Sequence, residues 1–182
     1  MKMARKIRVK SPTGYYHVMT RGNNKQLIFK NDKDRIKYLC CIKDAQEKFY
    51  LKVICYCLMP NHTHLILFDE NFVLSNFMKC LNSKYAAYFN REHNRIGSLF
   101  QDRFKDECIR NERQLLAAYR YVLNNPYKAG MCEPWDYKWS SYSCYLRESK
   151  IVDSSVISCI LGDREQHKTF IKSFSDDHFL DI

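Results

Sequence analysis

The chain has 182 residues, of which 46% are hydrophobic, 14% aromatic and 27% charged. A chain of this length buries roughly 70% of its unfolded surface, and its composition excludes a disordered or fibrous protein. Thirty Lys and Arg residues against twenty Asp and Glu residues give a net charge of +10. This charge favours a polyanionic partner, although many basic proteins are merely soluble.

The charge is distributed unevenly along the chain. Residues 1–31 contain eight basic residues and no acidic one, whereas residues 151–182 contain six acidic and three basic residues. The basic N-terminus has no apolar segment behind it, as a secretory signal would, and no apolar stretch is long enough to span a bilayer. Nine cysteines without a CxxC pair predict a reducing, cytoplasmic location, with the cysteines as small core residues rather than a zinc site.

The predicted elements alternate short strands with longer helices. Four segments have the composition of strands, namely residues 14–21, 51–58, 62–68 and 104–109. Two segments between them have apolar residues at helical spacing, namely residues 32–49 and 72–93. This β-α-β-β-α-β order predicts an α+β, ferredoxin-like or RRM-like antiparallel sheet of four to five strands. Both faces of the two central segments are largely apolar, which predicts helices on both faces of the sheet.

A further helix is predicted after the fourth strand. Asn111, with Gln114 three residues later, forms a capping-box pattern at its start. The helix is predicted to end at about Leu123, because Asn124-Asn125-Pro126 follows. We predict that residues 1–150 form one domain with a basic N-terminal arm. Residues 151–182, with two short helices between residues 154 and 174, are predicted to be an acidic extension packed on that domain.

The faces of this helix separate two tyrosines. Leucine and valine side chains form an apolar arc centred on Tyr119, which is therefore predicted to lie in the core. Tyr121 is predicted to point to the opposite side, together with Gln114 and Asn125. If the last turn persists, Tyr121 and Asn125 are neighbours on one face. The alternative is an exposed tyrosine beside a C-terminal cap.

The strongest local feature is the segment from Pro60 to His64, with the sequence PNHTH. Alternate side chains of a strand share a face, so His62 and His64 project side by side. Two imidazoles can bind one divalent cation, but a metal site needs a third ligand, and the Asn125 oxygen would supply it. The Tyr121 hydroxyl would then be a nucleophile able to form a phosphotyrosine. The alternative is a histidine pair satisfied by ordinary hydrogen bonds.

Five blocks of this sequence resemble the single-tyrosine HUH transposases, especially the subgroup called REP-associated tyrosine transposases. The blocks are GYYHVMTRGNN at residues 14–24, YCLMPNHTHLIL at 56–67, IGSLFQDRFKD at 96–106, YVLNNPYKAG at 121–130 and WSSY at 139–142. Their order and spacing are similar to those of the family throughout residues 14–142.

The resemblance implies metal-dependent cleavage and rejoining of single-stranded DNA at hairpins formed by repeats that flank the gene. His62 and His64 match the metal-binding histidine pair, and Asn125 matches the third ligand of Mg²⁺ or Mn²⁺. Tyr121 matches the nucleophile, which would form a 5′-phosphotyrosine intermediate and release a 3′-OH. The residues expected to bind DNA are Lys2, Arg5, Lys6, Arg8, Lys10, Arg21, Arg103 and Lys105. The long segment after residue 142 favours the REP-associated type and, with it, a monomer over a homodimer.

Three other functions remain open. An RRM-like, non-catalytic nucleic-acid-binding module could use the many aromatic residues, but the sequence has no RRM aromatic octapeptide and the histidine pair would be unexplained. A domesticated transposase would bind its hairpin and seldom cut it. A replication initiator or relaxase shares the histidine pair and the tyrosine, but the Asn-Pro motif and the lack of a helicase domain argue against it.

Overall fold

The computed structural model describes residues 9–145 and 149–173. The strands are β1 (Tyr15–Arg21), β2 (Lys52–Met59), β3 (His62–Phe68) and β4 (Lys105–Cys108). The helices are α1 (Asp32–Phe49), α2 (Leu74–Glu92), α3 (Glu112–Lys128), α4 (Ser155–Leu161) and α5 (Arg164–Lys172). The four strands form one antiparallel sheet in the order β2-β3-β1-β4. This arrangement confirms the predicted α+β, ferredoxin-like fold, with four strands among the described residues.

Each face of the sheet has its own apolar core. On one face, Leu65 and Leu67 of β3 pack with residues of α1 and α2. On the other face, Ile66 packs with residues of α3, α4 and α5. Because side chains alternate along a strand, His62 and His64 lie on the same face as Ile66, toward α3. The prediction of helices on both faces is therefore confirmed.

The turn before His62 is fixed by backbone hydrogen bonds from a neighbouring loop. The Pro60 carbonyl accepts from the Ile28 and Phe29 N–H groups, at 2.9 and 3.1 Å. The Gly22 N–H, directly after β1, donates to the Asn61 carbonyl at 2.9 Å. A Cβ on Gly22 would lie 2.2 Å from the Gln26 carbonyl oxygen, so only glycine fits at this close approach. The start of β3 is therefore held in register against the end of β1.

Helix α3 is longer than predicted. It continues to Lys128 with Pro126 inside its last turn. Pro126 has no N–H to donate to the Val122 carbonyl, so the helix loses one backbone hydrogen bond. The Asn125 side-chain amide offsets part of this loss, because it donates to the Tyr121 carbonyl at 2.9 Å and lies 3.5 Å from the Val122 carbonyl. The predicted end at about Leu123 was wrong because Pro126 is buried in the core and tertiary packing outweighs its helix-breaking effect.

The start of α3 contains half of the predicted capping box. The Asn111 side chain accepts from the Gln114 N–H at 2.9 Å, as expected for an N-cap residue. The Gln114 side-chain oxygen accepts from the Arg110 N–H at 2.8 Å, instead of from that of Asn111. The reciprocal hydrogen bond is therefore donated by Arg110, the residue preceding the cap.

The segment after residue 148 begins beside β2, where Val152 joins the core on the α1 and α2 side, and it then packs on the same face as α3. Val152 forms a parallel bridge with Val53, and Ile157 and Ile171 are buried in the core on the α3 side. Two short helices, α4 and α5, occur where they were predicted. The domain boundary at residue 150 stays a prediction, and residues 174–182 of the acidic extension lie outside the described residues.

The cysteines differ from the prediction in their burial. All nine are free, but Cys41, Cys55 and Cys57 are the buried ones, and Cys40 and Cys159 are exposed. Their predicted role as core residues is confirmed for the three buried ones, partly holds for Cys108, Cys132 and Cys144, which pack against the cores, and was wrong for the two exposed ones. Within residues 9–145 and 149–173, no helix combines the length and the apolar character needed to cross a membrane.

Candidate active site

The histidine pair lies at the start of the central strand β3, on the sheet face that α3 covers. The ring centroids of His62 and His64 are 5.0 Å apart, and the two rings are perpendicular. His64 is buried, whereas His62 is partly exposed. The pair therefore has a buried end below α3 and an open end where a substrate can approach.

The C-terminal half of α3 places Tyr121 against this pair. The Tyr121 ring meets the His64 ring edge-on, with a centroid distance of 5.5 Å. Tyr121 is 6% exposed, so the prediction that it points away from the core was wrong. The reason is that α3 is covered on two sides. Tyr119 faces α5, where its hydroxyl lies 3.2 Å from His167 Nδ1, and Tyr121 faces the sheet.

Asn125 lies one turn after Tyr121 and reaches His62. Its amide nitrogen donates to the Tyr121 carbonyl, and its side chain also hydrogen-bonds to His62. His62 Nδ1 is 2.7 Å from the Asn61 side-chain oxygen. A neutral imidazole has one N–H, so it can donate to one of these two amide oxygens and must face the other with a lone pair. A cation bound between this ring nitrogen and the amide oxygen would remove the repulsion between their lone pairs.

His17 of β1 is a site residue that the sequence analysis missed. Its Nε2 lies 3.0 Å from His64 Nδ1, and the two rings stack with centroids 5.1 Å apart. The Tyr121 ring also meets the His17 ring, at 5.6 Å. With Nδ1 engaged by His17, His64 has Nε2 left as its ligand atom. The only signal in the sequence was a histidine at an inward-facing position of a strand, which by itself is not specific.

The three site histidines are uncharged at neutral pH. Burial lowers the pKa of His17 to about 4. The pKa of His62 also falls to about 4, mainly through burial and further through the positive charge of Arg21. Burial, with the neighbouring His17 and His62, holds the pKa of His64 well below 6.5. Neutral imidazoles have a free lone pair, which is the form that binds a metal ion.

These lowered pKa values predict a fold that weakens in mild acid. The unfolded chain binds more protons than the folded protein once the pH is below 6.5, so the free energy of unfolding decreases as the pH falls. For His17 alone, with a folded pKa of about 4, the loss between pH 7 and pH 5 is about 2 kcal/mol. Urea unfolding at pH 7 and pH 5, with a chelator present, measures this loss in the free energy of unfolding. Equal free energies of unfolding at the two pH values would contradict neutral, buried histidines.

The side chains at this site would offer a divalent cation two imidazole nitrogens and one amide oxygen. In the part of the chain that the structure describes, no group of three or more His, Cys, Asp or Glu side chains could hold a metal ion. The Asn125 side chain, which hydrogen-bonds to His62, is the predicted third protein ligand of a cation bound by His62 and His64. The metal role of these three residues remains a prediction.

The residues predicted to bind DNA fall into three groups. Lys10, Arg103 and Lys105 line one groove of about 1000 Å³ beside β4, together with Arg110. Arg21 lies elsewhere, because β1 and β3 pair it with His62. The other four residues lie outside the described residues, namely Lys2, Arg5, Lys6 and Arg8.

Comparisons with known proteins agree with this architecture. A family model described as IS200-like transposase matches residues 10–125. A Haemophilus influenzae protein described as a REP-associated tyrosine transposase is 26% identical over 112 residues. That match covers 55% of this chain and 64% of the relative, which is less than two-thirds of the relative's length.

A solved structure of a REP-associated tyrosine transposase bound to a REP hairpin has the same fold. The superposition has a TM-score of 0.64 at 17% sequence identity, and it covers 80% of this chain and 86% of the other. The family model includes β1, the histidine pair and α3 as far as Asn125, and it spans more than half of the chain. The protein therefore belongs to the IS200-like transposase family, as the resemblance of its five sequence blocks implied.

Proposed function

We propose that this protein is a REP-associated tyrosine transposase that cuts and rejoins single-stranded DNA at hairpin-containing repeats. Membership of a transposase family implies an enzyme of DNA cleavage and rejoining. The observation that carries the finer proposal is the position of Tyr121, whose ring lies 5.5 Å from that of His64. A buried tyrosine beside a neutral histidine pair combines a nucleophile with metal ligands at one point.

In the proposed reaction, the Tyr121 oxygen attacks the scissile phosphorus. A bond forms between this oxygen and phosphorus, and the bond from phosphorus to the 3′ oxygen breaks. The 3′ oxygen leaves as a hydroxyl after taking a proton, and the 5′ phosphate stays on Tyr121 as an ester. Rejoining is the reverse, with the 3′-OH of another end as the attacking group, so the energy of the phosphodiester bond is conserved.

Three residues would hold the cation, namely His62 and His64 through nitrogen and Asn125 through oxygen. Mg²⁺ or Mn²⁺ bound there would polarise the phosphate and offset the charge that develops on it. The His17 contact to His64 Nδ1 would fix the ring so that Nε2 faces the cation. Arg21, paired across the strands with His62, adds a positive charge at the open end of the site.

The groove beside β4 is the proposed binding site of the hairpin stem, although its four basic residues share the lining with Asp102, Asp106 and Glu107. The related structure is described as bound to a REP hairpin, and the Lys10, Arg103 and Lys105 side chains here line a groove of about 1000 Å³. Lysine and arginine contacts to phosphates fix the register of a protein on a nucleic acid without reading its sequence. We propose that a monomer binds one hairpin.

Hairpin binding is expected to weaken steeply with salt. Each phosphate contact contributes about −0.9 to the slope of log affinity against log salt on a duplex stem. Lys105→Gln should therefore reduce the magnitude of the slope by about 0.9, the contribution of one phosphate contact. Fluorescence anisotropy of a labelled hairpin between 50 and 300 mM salt measures the slope. Lys43→Gln on α1 is the matched control, and an equal change in both variants would argue against the groove as the stem site.

Rejoining distinguishes a transposase from a nickase or a binding protein. Two hairpin oligonucleotides of different length, taken from the repeats flanking the gene, are incubated with the protein and Mn²⁺. The proposal predicts a recombinant strand that combines one end of each oligonucleotide. Cut ends without that product would indicate a nickase, and tight binding without cut ends would indicate a domesticated hairpin-binding protein.

A further inference from the structure

A second cavity of about 460 Å³ opens directly beside Tyr121. It lies between the last two turns of α3, the loop at Trp135 and the end of α5, and Tyr121 is one of its lining residues. Its volume is within the range of small-ligand sites, roughly 300 to 1,000 Å³. The cavity shares Tyr121 with the candidate active site, and none of the roles proposed above uses the other residues of its lining.

Both aromatic and cationic side chains line this cavity. Tyr127 on its rim is 59% exposed, although it is a large aromatic residue on a well-packed helix. Lys172 lies 4.9 Å from the centre of the Trp135 ring, and Lys128 lies 4.8 Å from that of Tyr121. The lining has three cations, Arg120, Lys128 and Lys172, against the single carboxylate of Glu133.

This combination of side chains matches one ligand class. Sites for unpaired nucleic acid pair aromatic rings, on which bases stack, with basic groups that follow the phosphates. A solvent-exposed cation–π contact is weaker than the stacking of a nucleobase on an aromatic ring. Lys168 also lies 4.8 Å from the centre of the Trp135 ring, so a base that stacks on this ring would displace Lys168 or Lys172 and leave that ammonium group free to bind a phosphate.

We propose that this cavity binds an unpaired nucleotide of the single strand next to the scissile phosphate. Its base would stack on Tyr127 and Trp135, and Lys172 and Lys128 would contact the adjoining phosphates. The proposal rests on the proposed function, because it is the cleavage chemistry at Tyr121 that brings a single strand to this edge. The net positive lining and the shared residue Tyr121 favour a nucleotide over a peptide or an apolar ligand.

Tryptophan fluorescence can test the proposal directly. The chain has two tryptophans, so Trp139→Phe leaves Trp135 as the only one. An oligothymidylate of eight nucleotides is added to this variant with a chelator present, so that no cleavage occurs. We expect saturable quenching of Trp135. Tyr127→Ala should raise the half-saturation concentration about five-fold or more, the effect of losing one stacked base, and Lys172→Gln should also raise it.

Tyr50→Ala is the matched control, because Tyr50 is an even more exposed aromatic residue, 85% exposed, at the end of α1 on the opposite face of the sheet. It should leave the half-saturation concentration within about two-fold. The proposal is wrong if Trp135 is not quenched at concentrations where anisotropy shows the labelled oligonucleotide bound. It is also wrong if Tyr127→Ala and Tyr50→Ala behave alike.

The Trp139→Phe variant also distinguishes a failure of this proposal from a failure of the proposed function. In the Trp139→Phe background, Tyr121→Phe should keep the quenching, because the ring remains and only the nucleophile is lost. A covalent DNA adduct on Tyr121 without quenching would reject the nucleotide site and leave the enzyme. Quenching without any adduct would leave the nucleotide site and reject the enzyme.

Discussion

Tyr121→Phe is expected to lower the rate of DNA cleavage by about 10⁴-fold or more, with hairpin affinity nearly unchanged. The substitution removes only the hydroxyl oxygen, which is the proposed attacking atom. The remaining ring can still pack on His17 and His64, whose centroids lie 5.6 and 5.5 Å from its own. Single-turnover cleavage of a labelled hairpin strand with Mn²⁺ measures the rate, and anisotropy measures the affinity.

Tyr119→Phe is the matched control for this experiment. Tyr119 is on the same helix, two residues earlier, and its hydroxyl lies 3.2 Å from His167 Nδ1 instead of facing the sheet. This variant should lose stability by about 1 kcal/mol and keep its cleavage rate. If Tyr121→Phe still cut DNA and Tyr119→Phe did not, the nucleophile would be Tyr119 and the proposed geometry of the site would be wrong.

His64→Gln is expected to lose cleavage and the response to Mn²⁺ together. His64 is buried between His17 and Tyr121, so no other side chain can take its place without moving the sheet. We expect Mn²⁺ affinity, measured by calorimetry on the free protein, to fall by about 100-fold or more. His17→Gln changes only the hydrogen-bond partner of His64, and it should lower Mn²⁺ affinity by about 10- to 100-fold.

His93→Gln is the control for nonspecific loss of a histidine. His93 Nε2 lies 3.0 Å from the buried Asp34 carboxylate, far from the site in sequence and on the opposite face of the sheet. This variant should bind Mn²⁺ with unchanged affinity. Normal Mn²⁺ binding by His64→Gln, or an equal loss in all three variants, would reject the metal site.

The histidine pair and its strand could be predicted from the sequence because their determinants are local. The strand-like composition of residues 62–68 predicts the strand, and the two-residue spacing of His62 and His64 puts them on one face; β3 has these bounds in the structure. The helix α1 was likewise predicted over Asp32–Phe49, since its apolar spacing lies within the segment itself. These features depend on neighbours in sequence.

The direction of Tyr121 could not be predicted in this way. A helical wheel has one apolar arc, but α3 is covered by the sheet on one side and by α5 on another. Tyr121, which lies outside the arc, was therefore predicted to point away from the core, although it packs on the histidines. The prediction of where α3 ends was wrong for a related reason, because the burial of Pro126 depends on residues distant in sequence.

The role of His17 depends entirely on strand register. His17 and His64 are 47 residues apart, and their rings meet only because β1 and β3 pair with Met19 opposite His64. A shift of one residue would turn His17 to the other face of the sheet. The nucleotide cavity depends on tertiary packing in the same way, since Tyr127 and Lys172 come together through the contact of α3 with α5.

The most direct test of the proposed mechanism is to locate the DNA adduct on the protein. The protein is incubated with a hairpin strand and Mn²⁺, and the covalent complex is digested with nuclease and trypsin for mass spectrometry. Trypsin cleaves after Arg120 and Lys128, so residues 121–128 form one peptide and Tyr119 belongs to the preceding one. We predict a phosphonucleotide on Tyr121 within residues 121–128. An adduct on any other residue, or cleaved DNA with no adduct at all, would contradict the proposed mechanism.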